Sequence, residues 1–267
     1  MEFSALPADT FGFEHAYIVL SDSAPVCLYG DVDKVFPLAS VTKPIAAWAV
    51  LVAVWQGKLS LDDPAGPAGA TVRHLLSHTS GVPFTAGEPI NRPGERRGYS
   101  NYGFELLAEV IANHTGMSAP EWVHESVALP LGMDTLEIPG SIAHAGRASA
   151  DSLATFVAEV LHPTLIPLEL AQQALSPVFP GLAGVLPGYG TQLDNAWGMG
   201  FEIHDHKSPH WLGADFSPET AGHFGQSGSF IWVEPQLQKA GVFLGAEPFG
   251  AQHREVWPQL TNQMRAL

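Results

Sequence analysis

The chain has 267 residues, 46% of them hydrophobic and 15% charged, which is enough apolar material for one sizeable core and excludes disordered, collagen-like and coiled-coil proteins. Lys and Arg total 12 against 27 Asp and Glu, so the net charge is −15, the wrong sign for tracking a phosphate backbone and an argument against nucleic acid as a partner. The single cysteine, Cys27, rules out an intrachain disulfide and any zinc site with more than one thiolate.

The opening MEFSALPADTFGFEH has neither a basic stretch nor an apolar run of leader type, and the expected address is cytoplasmic. Ala16 to Leu20 and Pro25 to Tyr29 are short β-rich runs around Ser21-Asp22-Ser23-Ala24, which predicts an opening hairpin closed by Gly30-Asp31. Ser40 is placed as an N-cap, and from Val41 to roughly Leu59 a helix without a polar face should be buried on most sides. Its apolar run, Ile45 to Trp55, falls short of the ~18–20 residues a membrane span needs. Thr71 caps a short helix, VRHLLSH, that ends by Gly81. After a polar loop over Asn91 to Gly98, an apolar stripe of Phe104, Leu106, Leu107, Val110 and Ile111 predicts a helix from Tyr102 to Asn113, stopped by Thr115-Gly116. Further helices are expected over Pro120 to Val127, Asp151 to Leu161 and Pro167 to Leu175, then a lobe-connecting loop from Pro180 to Gly190. Trp197 to Ile203, Ser229 to Val233 and Ala240 to Leu244 read as strands, and Gln252 to Leu267 as a closing amphipathic helix. The order predicts an α/β (α+β) fold, an antiparallel sheet shared by the two ends of the chain and flanked by helices. Residues 1–267 form one domain in this reading, with a sheet lobe from about 1–38 and 193–267 and an inserted helical lobe at about 39–192.

Ser40 and Lys43 place a hydroxyl and an amine three residues apart, on one face if the turn is helical. Burial of Lys43 among Pro44, Ile45 and the Trp- and Val-rich turns should disfavour its ammonium form and bring it toward a working base. Tyr99-Ser100-Asn101 follows a Pro-Gly loop and precedes a helix, where a phenol and an amide can point into a cleft. Gly222-His223-Phe224-Gly225-Gln226-Ser227-Gly228-Ser229 then leads into a strand. In this order the three elements resemble the S-x-x-K, Y-x-N and K/H-x-G set of the serine β-lactamase and penicillin-binding-protein superfamily. The stretch from Thr71 to Gly81 resembles the T-x-R-x-L-L-x-H-x-S-G segment of the class C branch, and Pro130-Leu131-Gly132-Met133 is similar to that branch too.

The resemblance implies a β-lactamase/transpeptidase-like fold and acyl transfer, with esterases and D-amino acid peptidases among the relatives. Ser40 is then the nucleophile, Lys43 its base or proton relay, Tyr99 a second general acid/base that needs the cationic field of Lys43 and His223, and Asn101 an anchor for the substrate amide. His223, Gly225 and Gln226 bind substrate, the amides of Ser40 and Gln226 forming an oxyanion hole. The expected partner is a small ester, amide or β-lactam, and no cofactor or metal is called for. His223 stands where β-lactamases carry Lys, and Phe224 replaces a Thr hydroxyl. Both changes weaken carboxylate recognition and point to an esterase or peptidase over a true β-lactamase, with His223 expected to titrate near 6.5. The alternative is a non-catalytic binding or sensor protein that keeps the penicillin-binding fold.

The other signals read as structural. His204-Asp205-His206 with His210 is placed in a solvated turn, and His74 with His78 in the body of the fold, so neither is taken as a metal site. Arg73 is expected to hold an ion pair, Cys27 to act as a small buried hydrophobe, and Trp197 and Trp211 to pack. Arg96-Arg97 reads as a solvated loop pair whose nearness to Tyr99 makes it a minor candidate for an anionic group.

Overall fold

The computed structural model describes residues 11–267; the leader-type pattern sought at the start of the chain falls largely on residues outside it. The chain opens with the hairpin β1 (His15–Ser21) and β2 (Ala24–Tyr29), followed by β3 (Phe36–Pro37) and α1 (Thr42–Trp55). The helical middle holds α2 (Val72–Leu76), α3 (Tyr102–Thr115), α4 (Ala119–Val123), a π-helical turn over His124–Ala128 and α5 (Leu129–Leu131). Then come β4 (Arg147–Ala148), α6 (Ala150–Leu161), α7 (Leu168–Ala174), β5 (Gly184–Leu186) and β6 (Gly190–Gln192). The chain closes with β7 (Glu202–Ile203), β8 (Ala221–Gly225), β9 (Ser229–Glu234), β10 (Lys239–Gly245) and α8 (Ala251–Ala266).

The main sheet has the order β2-β1-β10-β9-β8-β7, with every neighbouring pair antiparallel. The two ends of the chain thus share one antiparallel sheet, as the sequence predicts, and within it the first hairpin lies beside the last strand. Alternation along the strands builds two cores. Ala16, Ile18 and Leu20 of β1, with Val242 and Leu244 of β10, face α6 and the large core that also encloses Trp48 and Phe104. Tyr17, Val19, Phe230, Trp232 and Phe243 point the other way, against Trp257, Leu260 and Met264 of α8. Helix α1 packs against α3, α4 and the π-helical turn and is buried from Thr42 through Ala53, which explains an apolar sequence without a polar face. No helix of the described residues is long and apolar enough to cross a membrane.

Several elements differ from the sequence reading. The first long helix stops at Trp55, short of Leu59, because Gly57 takes a positive φ of 68°. The expected connecting loop at Pro180 to Gly190 contains strand β5 of the small β5–β6 hairpin. The strand expected from Trp197 shrinks to two residues, while the Gly-rich motif at 221–225 forms a strand of its own. Its glycines hid it from β-propensity, yet they are what the packing requires. A Cβ at Gly222 would meet Ile231 O at 2.4 Å, and one at Gly225 would meet Leu38 O at 2.3 Å.

Candidate active site

Ser40 lies in the 3-10 turn Ala39–Val41, and α1 begins only at Thr42. The N-cap role expected of Ser40 is not observed: Val41 holds that position without a side-chain cap, because the serine hydroxyl is engaged by Lys43 and Tyr99. Ala39 just before it has φ 44°, a left-handed conformation that costs a non-glycine residue about 1–2 kcal/mol. The turn is held in place by Thr42 Oγ1 donating to Ala39 O at 2.7 Å, Leu38 N–H to Gly146 O at 2.8 Å and Ser229 Oγ to Leu38 O at 3.1 Å. The close approach at Gly225 completes the clamp between β8 and this turn.

Lys43 is fully buried at the start of α1. Its Nζ lies 3.3 Å from Ser40 Oγ, 2.6 Å from Asn101 Oδ1 and 2.7 Å from Ala143 O. Burial pushes its pKa down from 10.5 to about 7, a fall that Glu105 partly opposes. A neutral amine has two N–H donors and one lone pair. Asn101 and Ala143 take the donors, which leaves the lone pair for the serine proton. Tyr99 O–H donates to Ser40 Oγ at 2.7 Å, so the serine proton is not needed for that bond. Burial raises Tyr99 above its ordinary value, with Ser40 opposing and Glu202 adding to the rise. Tyr99 is therefore a protonated phenol at neutral pH.

The field of cations expected around Tyr99 is corrected by His223. This residue is buried on β8, its Nδ1–H donates to Phe224 O at 2.7 Å, and Nε2 has no partner among the described residues. Burial first, then Lys43, pushes its pKa down to about 3. His223 thus stays neutral through the physiological range, and the expected titration near 6.5 is overturned. Phe224 joins an aromatic cluster with Tyr189, Phe249 and Trp257.

Ser40, Tyr99, Asn101, His223 and Gln226 line one cavity of about 820 Å³, whose walls include Phe84, Val185, Trp197 and Phe224. Of the candidate residues, Lys43 and Gly225 do not line it; the first reaches it through Ser40, and the second lets β8 approach the serine turn. Gln226 sits exposed at the rim, its side chain donating to Phe249 O at 3.2 Å. Among the described residues no group of three or more His, Cys, Asp or Glu is placed to hold a metal ion.

Two buried charge centres support the site. Arg97 is 1% exposed and donates to the carbonyls of Ser77, Val178, Phe179 and Asn195, which corrects its reading as a solvated loop residue. Burial lowers it to about 10, so it remains charged. It anchors the segment leading into Tyr99. On β7, Glu202 accepts from Lys207 at 3.0 Å, from His210 at 2.7 Å and from Trp211 at 2.7 Å. Burial alone would raise this carboxyl, but Lys207 and His210 outweigh it and hold the group well below the usual carboxylate range. The turn after His204 is therefore not simply solvated, since Lys207 and His210 are buried in it. Sequence reasoning missed Glu202, although a lone carboxylate in the apolar run GMGFEI is a signal for a buried partner. It also missed the Ala143 carbonyl, for which no side-chain signal exists. His78 accepts from Ser100 N–H at 3.3 Å and lies against Tyr99, ring centroids 4.6 Å apart, a structural role as expected.

A family model described as Beta-lactamase matches residues 29–263. The chain belongs to the Beta-lactamase family. A crystal structure described as a beta-lactamase from Mycobacterium bovis superposes with a TM-score of 0.94 at 43% identity, covering 96% of each chain. Among curated relatives, penicillin-binding protein 4* of Bacillus subtilis is 31% identical over 139 residues, covering 40% of this chain and 31% of its own. Esterase EstB of Burkholderia gladioli is 39% identical over 147 residues, 38% of each chain. The matched segments thus span about a third of these curated relatives' own length. A Beta-lactamase-family chain with the antiparallel, helix-flanked fold agrees with the resemblance carried by the Ser40, Tyr99 and His223 motifs.

Proposed function

We propose that the protein is a serine hydrolase that acts on small esters and amides through an acyl-enzyme on Ser40. The observation that carries this reading is the position of Ser40 Oγ, 2.7 Å from the Tyr99 phenol and 3.3 Å from a buried amine whose pKa is about 7. Neutral Lys43 accepts the serine proton as Oγ attacks the substrate carbonyl. The amides of Ser40 and Gln226 receive the developing oxyanion. Tyr99, protonated, gives its proton to the leaving oxygen or nitrogen and is recharged from Lys43, which returns to the free amine. Water then attacks the acyl-enzyme with Lys43 again as the base, and Ser40 recovers its proton. Asn101 holds Lys43 in place, and its amide N–H₂ is available to the substrate carbonyl.

Esters are favoured over β-lactams in this reading because the β8 wall offers a neutral imidazole and a phenyl ring where a carboxylate would need a cation. The β-lactamase description of the Mycobacterium bovis neighbour makes nitrocefin the necessary comparison substrate. A fluorophosphonate probe should label wild-type protein on the peptide containing Ser40, and Ser40→Ala should neither label nor hydrolyse 4-nitrophenyl esters. Labelling that survives in Ser40→Ala refutes the nucleophile. Unlabelled wild type with no turnover of any ester, amide or nitrocefin leaves the non-catalytic reading in its place.

A further inference from the structure

The charges around the cavity are almost all committed. Lys43 is held by Ser40, Asn101 and Ala143, Arg97 by four carbonyls, and Glu202 by Lys207, His210 and Trp211. His223 is neutral, and His144 is an exposed histidine at the rim. Arg96 differs from all of these. It lines the cavity, is exposed, and has no hydrogen bond or ion pair to any described residue. The carboxylate beside it in sequence, Glu95, is occupied by Arg92 N–H at 3.0 Å. A permanent cation therefore stands at the mouth of the site on the loop before Tyr99, with no ion-pair partner among the described residues.

The cavity that Arg96 lines is otherwise largely apolar. Phe84, Ile90 and Val185 line the same cavity while remaining 52%, 66% and 50% exposed. Exposed apolar groups that converge on one opening mark a binding surface more than a solvated one. The volume of about 820 Å³ lies in the upper part of the roughly 300–1,000 Å³ that drug-sized ligands occupy. An acetyl group would leave most of it empty.

We propose that the cavity takes amphipathic anions, substrates with an apolar body of several carbons and a carboxylate or similar anion that Arg96 binds through its guanidinium. The proposal rests on the hydrolase reading of Ser40 and names its substrate class. The cavity carries this cation on the loop before Tyr99 and none on β8, so an anion held in it is expected at Arg96, with the apolar body on lining groups such as Phe84 and Ile90.

Two matched pairs of esters test it and show on which side of the scissile bond the anion lies. With 4-nitrophenyl hydrogen suberate against 4-nitrophenyl octanoate, the carboxylate is on the acyl side. With 4-(octanoyloxy)benzoate against phenyl octanoate, it is on the leaving side. In at least one pair the acid-to-neutral ratio of kcat/KM should fall roughly five- to tenfold in Arg96→Glu, an exposed charge-assisted contact being lost, and be largely retained in Arg96→Lys. A ratio unchanged by Arg96→Glu in both pairs overturns the proposal, while Ser40-dependent turnover of the neutral esters would leave the hydrolase reading standing. If the wild type hydrolyses none of the four, the hydrolase reading is judged by fluorophosphonate labelling of Ser40, and calorimetry with the uncleavable anion 4-octylbenzoate decides the anion site alone. Binding that Arg96→Glu weakens supports the anion site, and binding that is absent or indifferent to the change overturns it.

Discussion

Lys43→Met offers a direct measure of how strongly the fold opposes a proton on this amine. Methionine keeps the length of the side chain and removes the charge. In the folded protein the Lys43 pKa falls from 10.5 to about 7, so full protonation of the buried group costs the fold roughly 5 kcal/mol. Because the folded value is the lower one, the unfolded chain binds the extra proton between pH 7 and 10.5, and wild-type stability rises with pH across that window. Below pH 7 both states are protonated, and the cost is borne in full. Lys43→Met has no such group and should lack this rise. Between pH 6 and pH 9 the unfolding free energy of wild type relative to Lys43→Met should therefore increase by about 2–3 kcal/mol, as two pH units above the folded pKa require. The acceptors left unpaired at Asn101 and Ala143 lower the variant by a nearly pH-independent amount and cancel from the difference. His78 and His223, which burial keeps neutral in the folded protein, titrate only in the unfolded chain in this range, and that contribution is common to both proteins and cancels as well. Urea unfolding followed by tryptophan fluorescence at the two pH values supplies the numbers. A difference that is flat to about 0.5 kcal/mol, or that shrinks as pH rises, would show that Lys43 is not depressed and that the base assignment lacks its foundation. The same titration should appear in wild-type kinetics as an acid limb of kcat/KM with an apparent pKa near 7.

Tyr99→Phe removes the donor to Ser40 without changing the packing, and single-turnover kinetics should show acylation slowed by about 10²–10⁴-fold with little change in substrate affinity; a change confined to KM would refute its proton-transfer role. Arg97→Met leaves four buried carbonyls without their donor, and chemical denaturation should register a loss of about 3–5 kcal/mol. The double change His223→Lys with Phe224→Thr restores a cation and a hydroxyl to β8, so the ratio of kcat/KM for nitrocefin over a neutral ester should rise by an amount equivalent to roughly 1.5–3 kcal/mol. Because His223 has its pKa near 3, wild-type nitrocefin acylation should show no inflection near pH 6.5 that belongs to this residue, and an inflection abolished by His223→Gln would contradict its neutral state.

The parts of the molecule that were legible in the sequence are those set by local pattern. β1 and β2 announce themselves by β-branched and aromatic runs around a polar turn, α3 by its stripe, and α6 by the spacing of Leu153, Phe156, Val157 and Val160. The spacing of Ser40 and Lys43 places hydroxyl and amine together whether the turn is 3-10 or α, so the pair survives the error over the N-cap. Strand β8 was lost because two of its five residues are glycines, selected by backbone approach from Ile231 and Leu38 that lie elsewhere in the chain. The neutral state of His223 and the burial of Arg97 were lost for the same reason. Whether His223 carries a charge depends on what covers it, and whether Arg97 is solvated depends on carbonyls from residues 77, 178, 179 and 195.

These long-range contacts separate two neighbours that sequence treats alike. Arg96 and Arg97 are adjacent, identical in chemistry and equally polar in any local reading. The fold buries the second against backbone oxygens that no side-chain motif encodes, and it leaves the first at the mouth of an apolar cavity. An interior guanidinium bound by four carbonyls is unavailable to substrate, so of the two arginines that line the cavity Arg96 is the one free to meet an anion. The consequence for the chemistry is a division of the cationic groups by exposure: Lys43, fully buried and titrating near 7, is suited to move a proton, and Arg96, solvated and permanently charged, is suited only to bind.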